Sequence, residues 1–391
     1  MSANLRGNWN YPTTIWAGPG RISELAAACA RAGIARPMIV TDEGLAGTPM
    51  IKSALGALEN AALFGAVRGN PALKHVEAGL GAYRAGGHDG VVAFGGGSAL
   101  DVGKTIAFMS GQTRPLWDFE DIGDWWTRAD AAGIAPVVAV PTTAGTGSEV
   151  GRATVILNED THQKKIIFHP LMMPRIVISD AELTVGLPRG VTAATGMDAF
   201  VHCFEAYCAP GFHPIADGVA LQGMRLIQQF LPRACADGRD IEARAMMLTA
   251  ASMGATAFQK GLGGVHAIAH PVGSWFNTHH GLTNAVILPY VVTYNRRAIE
   301  EKTRVIARVL DLPVHGFDAF LAWVLEMRRE LGIPHALADL GVNIGNAELI
   351  GREAAIDPSA GGNPIPVDAA ALERIFRAAV QGNLGAVVKA A

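Results

Sequence analysis

The first half of the chain alternates short runs of β-branched residues with alanine-rich stretches, and this alternation restricts the fold more than any other feature. Four of the runs are predominantly apolar and lack the polar alternation of a half-exposed strand, which predicts strands buried on both faces. These runs lie at residues 37–41, 90–94, 136–140 and 175–178. Helical spacing at residues 51–58 and 76–85 separates the first two. We therefore predict an α/β fold with a parallel sheet covered by helices.

The strand signal fades near residue 187, and the rest of the chain shows helical spacing instead. Examples of that spacing are residues 218–230, 241–258 and 369–380. A length of 391 residues also favours two hydrophobic cores over one. We predict an α/β domain over residues 1–186 and an all-helical domain over residues 187–391.

Composition narrows the class of protein. Half of the residues are hydrophobic and the mean hydropathy is +0.24, which favours large cores and a homodimer or higher homo-oligomer. A net charge of −3 and the lack of a Lys/Arg run argue against nucleic acid or membrane partners. No stretch has the length of a transmembrane span, and the N-terminus lacks a signal-peptide pattern. Four scattered cysteines without a CxxC pair indicate reduced thiols in the cytoplasm.

Two glycine-containing segments follow predicted strands. Residues 95–98 read Gly-Gly-Gly-Ser and precede a helix, so their backbone N–H groups are suited to phosphate. The GxGxxG fingerprint is absent, and a ligand-free turn is the alternative. Residues 141–149 offer four hydroxyls and two glycines after the next strand. Because the carboxyl ends of parallel strands meet at one sheet edge, the two segments together favour a phosphate-bearing cofactor.

Asp42 closes the first predicted strand. An acid at this position can accept a hydrogen bond from a ribose 2′-OH, and its charge repels a 2′-phosphate. The residue thus favours NAD over NADP, although a simple turn residue is the alternative.

The histidines and one aspartate form a pattern typical of a metal site. Asp198 and His202 are four residues apart in a helical stretch, which places both side chains on one face. His266 and His270 repeat the spacing, and His279 and His280 follow. A carboxylate with imidazoles and no thiolate suits Fe²⁺ or Zn²⁺. Spacing alone leaves open which of the later four histidines bind the ion.

Geometry adds one constraint. On one straight helix the Cα atoms of His266 and His280 would be about 21 Å apart, too far for metal–nitrogen bonds of about 2.1 Å to a single ion. The helix therefore has to end between them. We expect disruption at Pro271 and Gly273, and a turn at Asn277, Thr278 and Gly281.

Together these segments resemble the iron-containing (group III) alcohol dehydrogenase family over essentially the whole chain. The matching segments are residues 95–98 with Asp101, 141–149, 180–184, 196–202, 266–281 and the late element from Asp357 to Pro364. The resemblance implies a dinucleotide-binding first domain and a metal-binding helical second domain, with metal and nicotinamide meeting in the cleft. It also implies reversible, NAD-linked oxidation of a primary alcohol to an aldehyde, with Fe²⁺ bound and Zn²⁺ as the alternative.

The resemblance also assigns residues. Its metal-ligand positions fall on Asp198, His202, His266 and His280. His270 matches a non-ligand active-site histidine that passes a proton to solvent. Its cofactor-contacting positions fall on Asp42, Gly96, Gly97, Ser98, Asp101, Thr142, Thr143, Thr146, Ser148, Lys164 and Leu183. The chain departs from the family pattern at His279 and Ala181, where proline is usual, and His279 leaves the proton path open.

Other functions remain as alternatives. Within the family these are a diol or hydroxy-acid dehydrogenase. A lyase of the dehydroquinate-synthase type would need a Lys/Arg cluster that residues 191–290 do not show. Maleylacetate reductases are expected to lack a carboxylate ligand such as Asp198. A non-catalytic sensor of nucleotide or metal is the alternative outside enzymes.

Overall fold

The computed structural model describes residues 7–9 and 12–388, and these divide into two compact units. The first unit is Met1–Gly186 together with the segment Arg239–Leu248. The second is Leu187–Gly238 together with Thr249–Ala391.

The first unit is built on a seven-stranded sheet in the order β1-β2-β9-β6-β5-β3-β4. Six strands are parallel, and β1 at the edge pairs antiparallel with β2. This confirms the predicted α/β class with a parallel sheet. The strands are β1 (Gly7–Trp9), β2 (Thr14–Ala17), β3 (Pro37–Asp42), β4 (Ala62–Val67), β5 (Gly90–Gly95), β6 (Val137–Pro141), β7 (Ala153–Asn158), β8 (Gln163–Phe168) and β9 (Ile176–Ser179). β7 and β8 form a separate antiparallel pair.

Helices cover this sheet and complete its core. They are α1 (Leu25–Ala32), α2 (Glu43–Ala46), α3 (Pro49–Gly56), α4 (Leu73–Ala85) and α5 (Gly97–Met109). Ile39, Val92 and Val138 from three adjacent strands are fully buried in one apolar cluster. α5 lies directly on the sheet, because a Cβ built on Gly103 would be only 2.7 Å from the Cβ of Ala93.

The strand order reverses between β3 and β5. From β3 the chain moves outward to β4, and then returns to place β5 on the other side of β3. In sheets of this type ligands bind outside the carboxyl ends of the strands at such a reversal. Asp42 ends β3 and Gly95 ends β5, so both lie at this location.

Every regular element described in the second unit is a helix, as its spacing predicts. The helices are α6 (Arg189–Cys208), α7 (Pro214–Ala236), α8 (Ile241–Ala257, beginning in the segment grouped with the first unit), α9 (Gly264–Phe276), α10 (His280–Val309), α11 (Phe317–Leu331), α12 (Ala347–Ile356), α13 (Ala369–Gln381) and α14 (Gly385–Val388). Almost every residue of α6 from Thr192 to Cys208 is buried. None of the described helices combines the length and the apolar character needed to cross a membrane.

The prediction that Pro271 and Gly273 disrupt the helix was wrong. α9 runs through both residues and ends at Phe276, because its first ten residues are all buried and their packing outweighs the lost hydrogen bond. The chain turns instead at Asn277, whose φ of 52° is left-handed. Gly281, predicted in the turn, is already the second residue of α10.

Candidate functional site

Three predicted metal ligands come together inside the second unit. Asp198 and His202 lie on one face of α6, and His266 enters from the first turn of α9. One potential ligand atom from each lies within 4.8 Å of the other two, and all three side chains are buried. The i, i+4 spacing therefore does bring the first pair to one side of the helix, as the sequence predicts.

His280 lies at the edge of this cluster. It is the first residue of α10, and its Nε2 is 3.8 Å from the Asp198 Oδ1, with 28% of the side chain exposed. The neighbouring His279 has a different position. Its Nδ1 accepts a hydrogen bond from the Leu282 N–H at 3.3 Å, so this exposed imidazole caps the N-terminus of α10.

A close contact between helices brings His280 to the cluster. A Cβ built on Gly281 would lie 2.5 Å from the backbone oxygen of Ala194 and 3.0 Å from the Cβ of Asp198. Only glycine lets α10 approach α6 this closely. The importance of Gly281 is therefore that it permits close packing of α10 on α6, and not that it forms a turn.

Asn284 links three of the predicted ligands and was missed from the sequence. Its side-chain NH₂ group donates to the Asp198 Oδ1 at 2.7 Å. The same nitrogen lies 3.2 Å from the Nε2 atoms of both His266 and His280. The sequence could have indicated this residue, because Asn284 lies one helical turn after His280 on the same face of the helix.

Glu205 is a second residue that the sequence reasoning missed. Its Oε1 accepts a hydrogen bond from the Val265 N–H at 2.7 Å, and its Oε2 lies 2.6 Å from the His266 Nδ1. The residue is 4% exposed. Asp198, His202 and Glu205 follow the i, i+4, i+7 pattern of one helical face, which could have identified it.

His270 is paired with a carboxylate on a distant part of the chain. Its Nδ1 lies 2.8 Å from the Asp357 Oδ2, and the imidazole stacks on that of His280 with ring centroids 5.5 Å apart. Burial raises the pKa of Asp357. The charge and hydrogen bond of His270 and the hydrogen bond from the Ser359 N–H outweigh this effect, so the pKa is below its usual value. No local spacing relates residues 270 and 357, so only the fold reveals this pair.

The donor set of the cluster suits a divalent ion. A carboxylate oxygen and imidazole nitrogens, without a thiolate, are ligands that Fe²⁺ and Zn²⁺ accept. Burial of the three inner side chains supplies the dry surroundings in which such bonds persist. The residues therefore fit the ion that the sequence resemblance implies.

In the first unit, the two predicted cofactor segments are in contact. A Cβ built on Gly97 would collide with the Thr146 hydroxyl, and one on Gly96 would lie 3.3 Å from the Thr143 Cγ2. Gly96 is the N-cap of α5, and Ser98 lies in its first turn. The Thr142 N–H donates to the Gly95 carbonyl at 3.0 Å. The start of α5 and the segment after β6 thus form one continuous surface at the sheet edge.

Asp42 has the role of a turn residue, which the sequence offered as an alternative, and it also lies beside the glycine segment. Its Oδ1 accepts a hydrogen bond from the Leu45 N–H at 3.1 Å and so caps α2. Its Oδ2 lies beside the glycine segment, 3.2 Å from a Cβ built on Gly95. The same side chain therefore caps a short helix and contacts the edge of the glycine segment.

Asp101 and Ser148 join α5 to the segment after β6. Asp101 accepts hydrogen bonds from the Ser148 hydroxyl at 2.5 Å and the Val155 N–H at 3.0 Å. Burial raises the pKa of Asp101 above its usual value, although Lys104 opposes the rise. Both side chains are thus occupied within the protein.

Lys104, which the sequence reasoning did not select, holds the same segment. Its ammonium group is fully buried and donates to the carbonyls of Ser148, Gly151 and Ala153 at 2.7–3.2 Å. Burial lowers the pKa of Lys104 to about 8, although Asp101 and Glu149 oppose the shift. The cation stabilises the backbone that follows the predicted cofactor threonines.

The last two predicted cofactor residues lie in different surroundings. Lys164 is on β8 and partly buried, and its charge opposes the rise that burial causes in the pKa of Asp101. Leu183 is 8% exposed and packs in the apolar core of the first unit. Its segment is fixed by the fully buried Asp180, which accepts from the N–H groups of Gly20, Ile22 and Glu182.

Comparison with known proteins agrees with this arrangement. Residues 12–181 match the family model described as "Iron-containing alcohol dehydrogenase", and residues 192–380 match "Fe-containing alcohol dehydrogenase family, C-terminal". The chain is 38% identical to a 4-hydroxybutyrate dehydrogenase of Cupriavidus necator, over 94% of this chain and 98% of that protein. It is 34% identical to an NAD-dependent methanol dehydrogenase of Bacillus methanolicus, over 91% and 95%. Among solved structures, a 1,3-propanediol oxidoreductase superimposes with a TM-score of 0.88 at 34% identity, covering 97% of this chain and 100% of that one.

Proposed function

The chain belongs to the iron-containing alcohol dehydrogenase family, and from that premise we propose that it interconverts a primary alcohol and its aldehyde with NAD⁺ as hydride acceptor. The observation that carries the proposal is the buried cluster of Asp198, His202 and His266, with His280 at its edge. A carboxylate and imidazoles brought this close together in a buried interior are the donor set that Fe²⁺ and Zn²⁺ sites use.

Each of the four ligands has a distinct role in this proposal. Asp198 supplies the one negative charge, and His202 continues the ligand face of α6 by one turn. His266 and His280 close the site from α9 and α10. When bound, Fe²⁺ or Zn²⁺ acts as a Lewis acid that favours the deprotonated alcohol and polarises the aldehyde carbonyl. Asn284 keeps the Asp198 carboxylate in place by its hydrogen bond.

His270 is the residue that we propose moves the proton. A carboxylate can only accept, so Asp357 fixes the proton of the neutral imidazole on Nδ1 and leaves Nε2 as the acceptor. An imidazole can accept a proton on one nitrogen and release it again, which alcohol oxidation requires. His270 then passes the proton to solvent, and its stacking on His280 keeps it beside the ligands.

In the first unit we propose that the N-terminus of α5 binds the pyrophosphate of the cofactor. Gly96 and Gly97 carry no side chains that would block the backbone N–H groups, and Ser98 adds a hydroxyl. Thr142, Thr143 and Thr146 supply hydroxyls from the adjoining segment. Asp101, Ser148 and Leu183 support these loops from within the protein, and Lys164 adds a positive charge on β8.

Asp42 is expected to set the preference for NAD over NADP. Replacing it with glycine removes the acceptor for the ribose 2′-OH and the repulsion of a 2′-phosphate, so the NAD/NADP ratio of kcat/KM should fall by about tenfold or more. Asp42→Asn is the matched control for stability, because asparagine keeps the cap on α2 while removing the charge. Steady-state kinetics with both cofactors test this. Unchanged ratios in both variants would remove Asp42 from this role.

The reaction itself is tested by NADH formation from a panel of alcohols. Enzyme stripped of metal and reloaded with Fe²⁺ or Zn²⁺ is assayed with methanol, 1,3-propanediol, propane-1,2-diol and 4-hydroxybutyrate. With at least one of these alcohols we expect steady NADH production, and we expect this production to depend on the added metal. Metal and NAD binding without turnover of any alcohol, or of the corresponding aldehyde, would instead support a sensor.

A hydroxy acid is the second candidate substrate. The observation that favours it is the 38% identity to a 4-hydroxybutyrate dehydrogenase over nearly the whole of both chains. In the panel, this candidate requires kcat/KM for 4-hydroxybutyrate to exceed that for the uncharged 1,3-propanediol.

We also propose that the enzyme works as a homo-oligomer in the cytoplasm. All four cysteines are free and buried, which suits a reducing compartment. Burial raises the pKa of Cys29, Cys203 and Cys208 to about 12, so these thiols resist deprotonation and oxidation. The apolar composition supports a subunit interface.

A further inference from the structure

We propose that Glu205 is a positioning residue that fixes His266 in the tautomer able to bind the metal. The inference deepens the proposed function, since it rests on His266 being a ligand of the metal site. Glu205 does not need to touch the ion for this role. It determines which nitrogen of His266 carries the proton.

The contacts of Glu205 leave one arrangement of protons. A carboxylate offers acceptors only, and its two oxygens face two nitrogens, those of the Val265 backbone and the His266 Nδ1. The backbone nitrogen is always a donor. At 2.6 Å the His266 Nδ1 has to donate as well, so in the neutral imidazole the lone pair is on Nε2.

That lone pair points towards the rest of the cluster. The His266 Nε2 lies 4.0 Å from the Asp198 Oδ1 and 3.2 Å from the Asn284 side-chain nitrogen. A neutral imidazole has a single lone pair for a metal, and the opposite tautomer would present an N–H to the cation instead. Orientation of a ligating histidine by a carboxylate at its other nitrogen is a general way to keep the ring ready for a metal.

Glu205 is itself held in place by α6. The same helix carries Asp198 and His202, so one element supplies two predicted ligands and the group that orients a third. The bond to the Val265 N–H also satisfies a donor at the start of α9, where helix N–H groups lack partners within the helix. A Cβ on Gly263 would lie 2.9 Å from the Glu205 Oε1, so the lack of a side chain at residue 263 leaves the room that the carboxylate occupies.

Glu205→Gln should change the tautomer of His266 without disturbing the fold. The glutamine oxygen can still accept from the Val265 N–H, and its NH₂ group can donate to the His266 Nδ1. All groups remain hydrogen-bonded, but the imidazole proton moves to Nε2. We therefore expect the metal-stripped variant to unfold within a few degrees of wild type, whereas its dissociation constant for Zn²⁺ rises by about 10- to 100-fold. Zn²⁺ affinity is measured by competition with a chelating dye, and unfolding by circular dichroism.

Asn363→Ala is the matched control for the start of α9. Asn363 accepts a hydrogen bond from the Gly264 N–H at 3.1 Å, one residue before Val265. The substitution removes this bond together with the hydrogen bonds of Asn363 to Asn295 and Ile365, and it leaves the Glu205–His266 contact. We expect it to lower the unfolding temperature of the metal-stripped protein and to change Zn²⁺ affinity less than Glu205→Gln does. An equal loss of affinity in both variants, or unchanged affinity in Glu205→Gln, would overturn the proposal.

Nitrogen-15 NMR of the metal-stripped protein gives a direct readout. The His266 signal, identified as the one missing in His266→Ala, should have the proton on Nδ1 in wild type and on Nε2 in Glu205→Gln. The same variants distinguish two kinds of failure. If His266→Ala itself retains Zn²⁺ affinity, the proposed metal site is wrong. If His266→Ala loses affinity and Glu205→Gln does not, only the role of Glu205 is wrong.

Discussion

Replacing His266 with alanine should remove both the bound metal and the activity. The substitution deletes a buried side chain that we propose as a ligand, and it leaves Asp198 and His202 without the third donor. Loss of a Lewis acid that contributes several kcal/mol corresponds to about a thousandfold or greater fall in kcat/KM. Metal analysis of the purified variant and NADH formation under metal-saturating conditions measure the two effects.

His315→Ala is the control for this variant. His315 is an exposed histidine of the same unit, so its removal should leave metal content and turnover at the wild-type level. A His266→Ala enzyme that purifies with a full complement of metal and turns over normally would contradict the ligand assignment.

The second large effect is expected from Gly281→Ala. The added methyl group would lie 2.5 Å from the Ala194 backbone oxygen, and a backbone atom cannot rotate away as a side chain can. α10 therefore has to move from α6, which displaces His280 and Asn284 from Asp198. We expect a stability loss of about 1–3 kcal/mol together with weaker Zn²⁺ binding, measured by denaturant unfolding and dye competition.

Gly218→Ala provides the comparison, because this glycine lies within α7 and a Cβ there meets no atom within 4 Å. Alanine at such a helical position is expected to be neutral or to stabilise by up to about 1 kcal/mol. If Gly281→Ala behaved like Gly218→Ala in both measurements, the close contact of α6 and α10 would not be what aligns the ligands.

The fold was predictable where strands are buried on both faces. β3, β5, β6 and β9 lie within a residue or two of the predicted runs because the interior of a parallel sheet requires continuous apolar sequence. β4 was missed because it is an edge strand with partly exposed residues and a glycine at position 65. The β7–β8 hairpin was missed because it belongs to a separate pair outside the main sheet.

The site was predictable as far as helical spacing extends. Asp198 and His202 follow from the i, i+4 rule, and Glu205 and Asn284 lie on the same faces as predicted ligands. Asp357 could not be predicted as the partner of His270, since 87 residues separate them. The helix end after His266 was required by distance, but its location depended on burial of α9, which overrode the effect of Pro271.

The division of the chain into units bears on how such a protein could be recombined. The chain passes from the first unit to the second after Gly186, returns at Arg239, and leaves again after Leu248. A single crossover near residue 187 would therefore combine residues 1–186 of one parent with the Arg239–Leu248 segment of the other, so the first unit would be of mixed origin. Chimeras that also exchange Arg239–Leu248 preserve each unit intact, so the two halves are not interchangeable as simple consecutive modules.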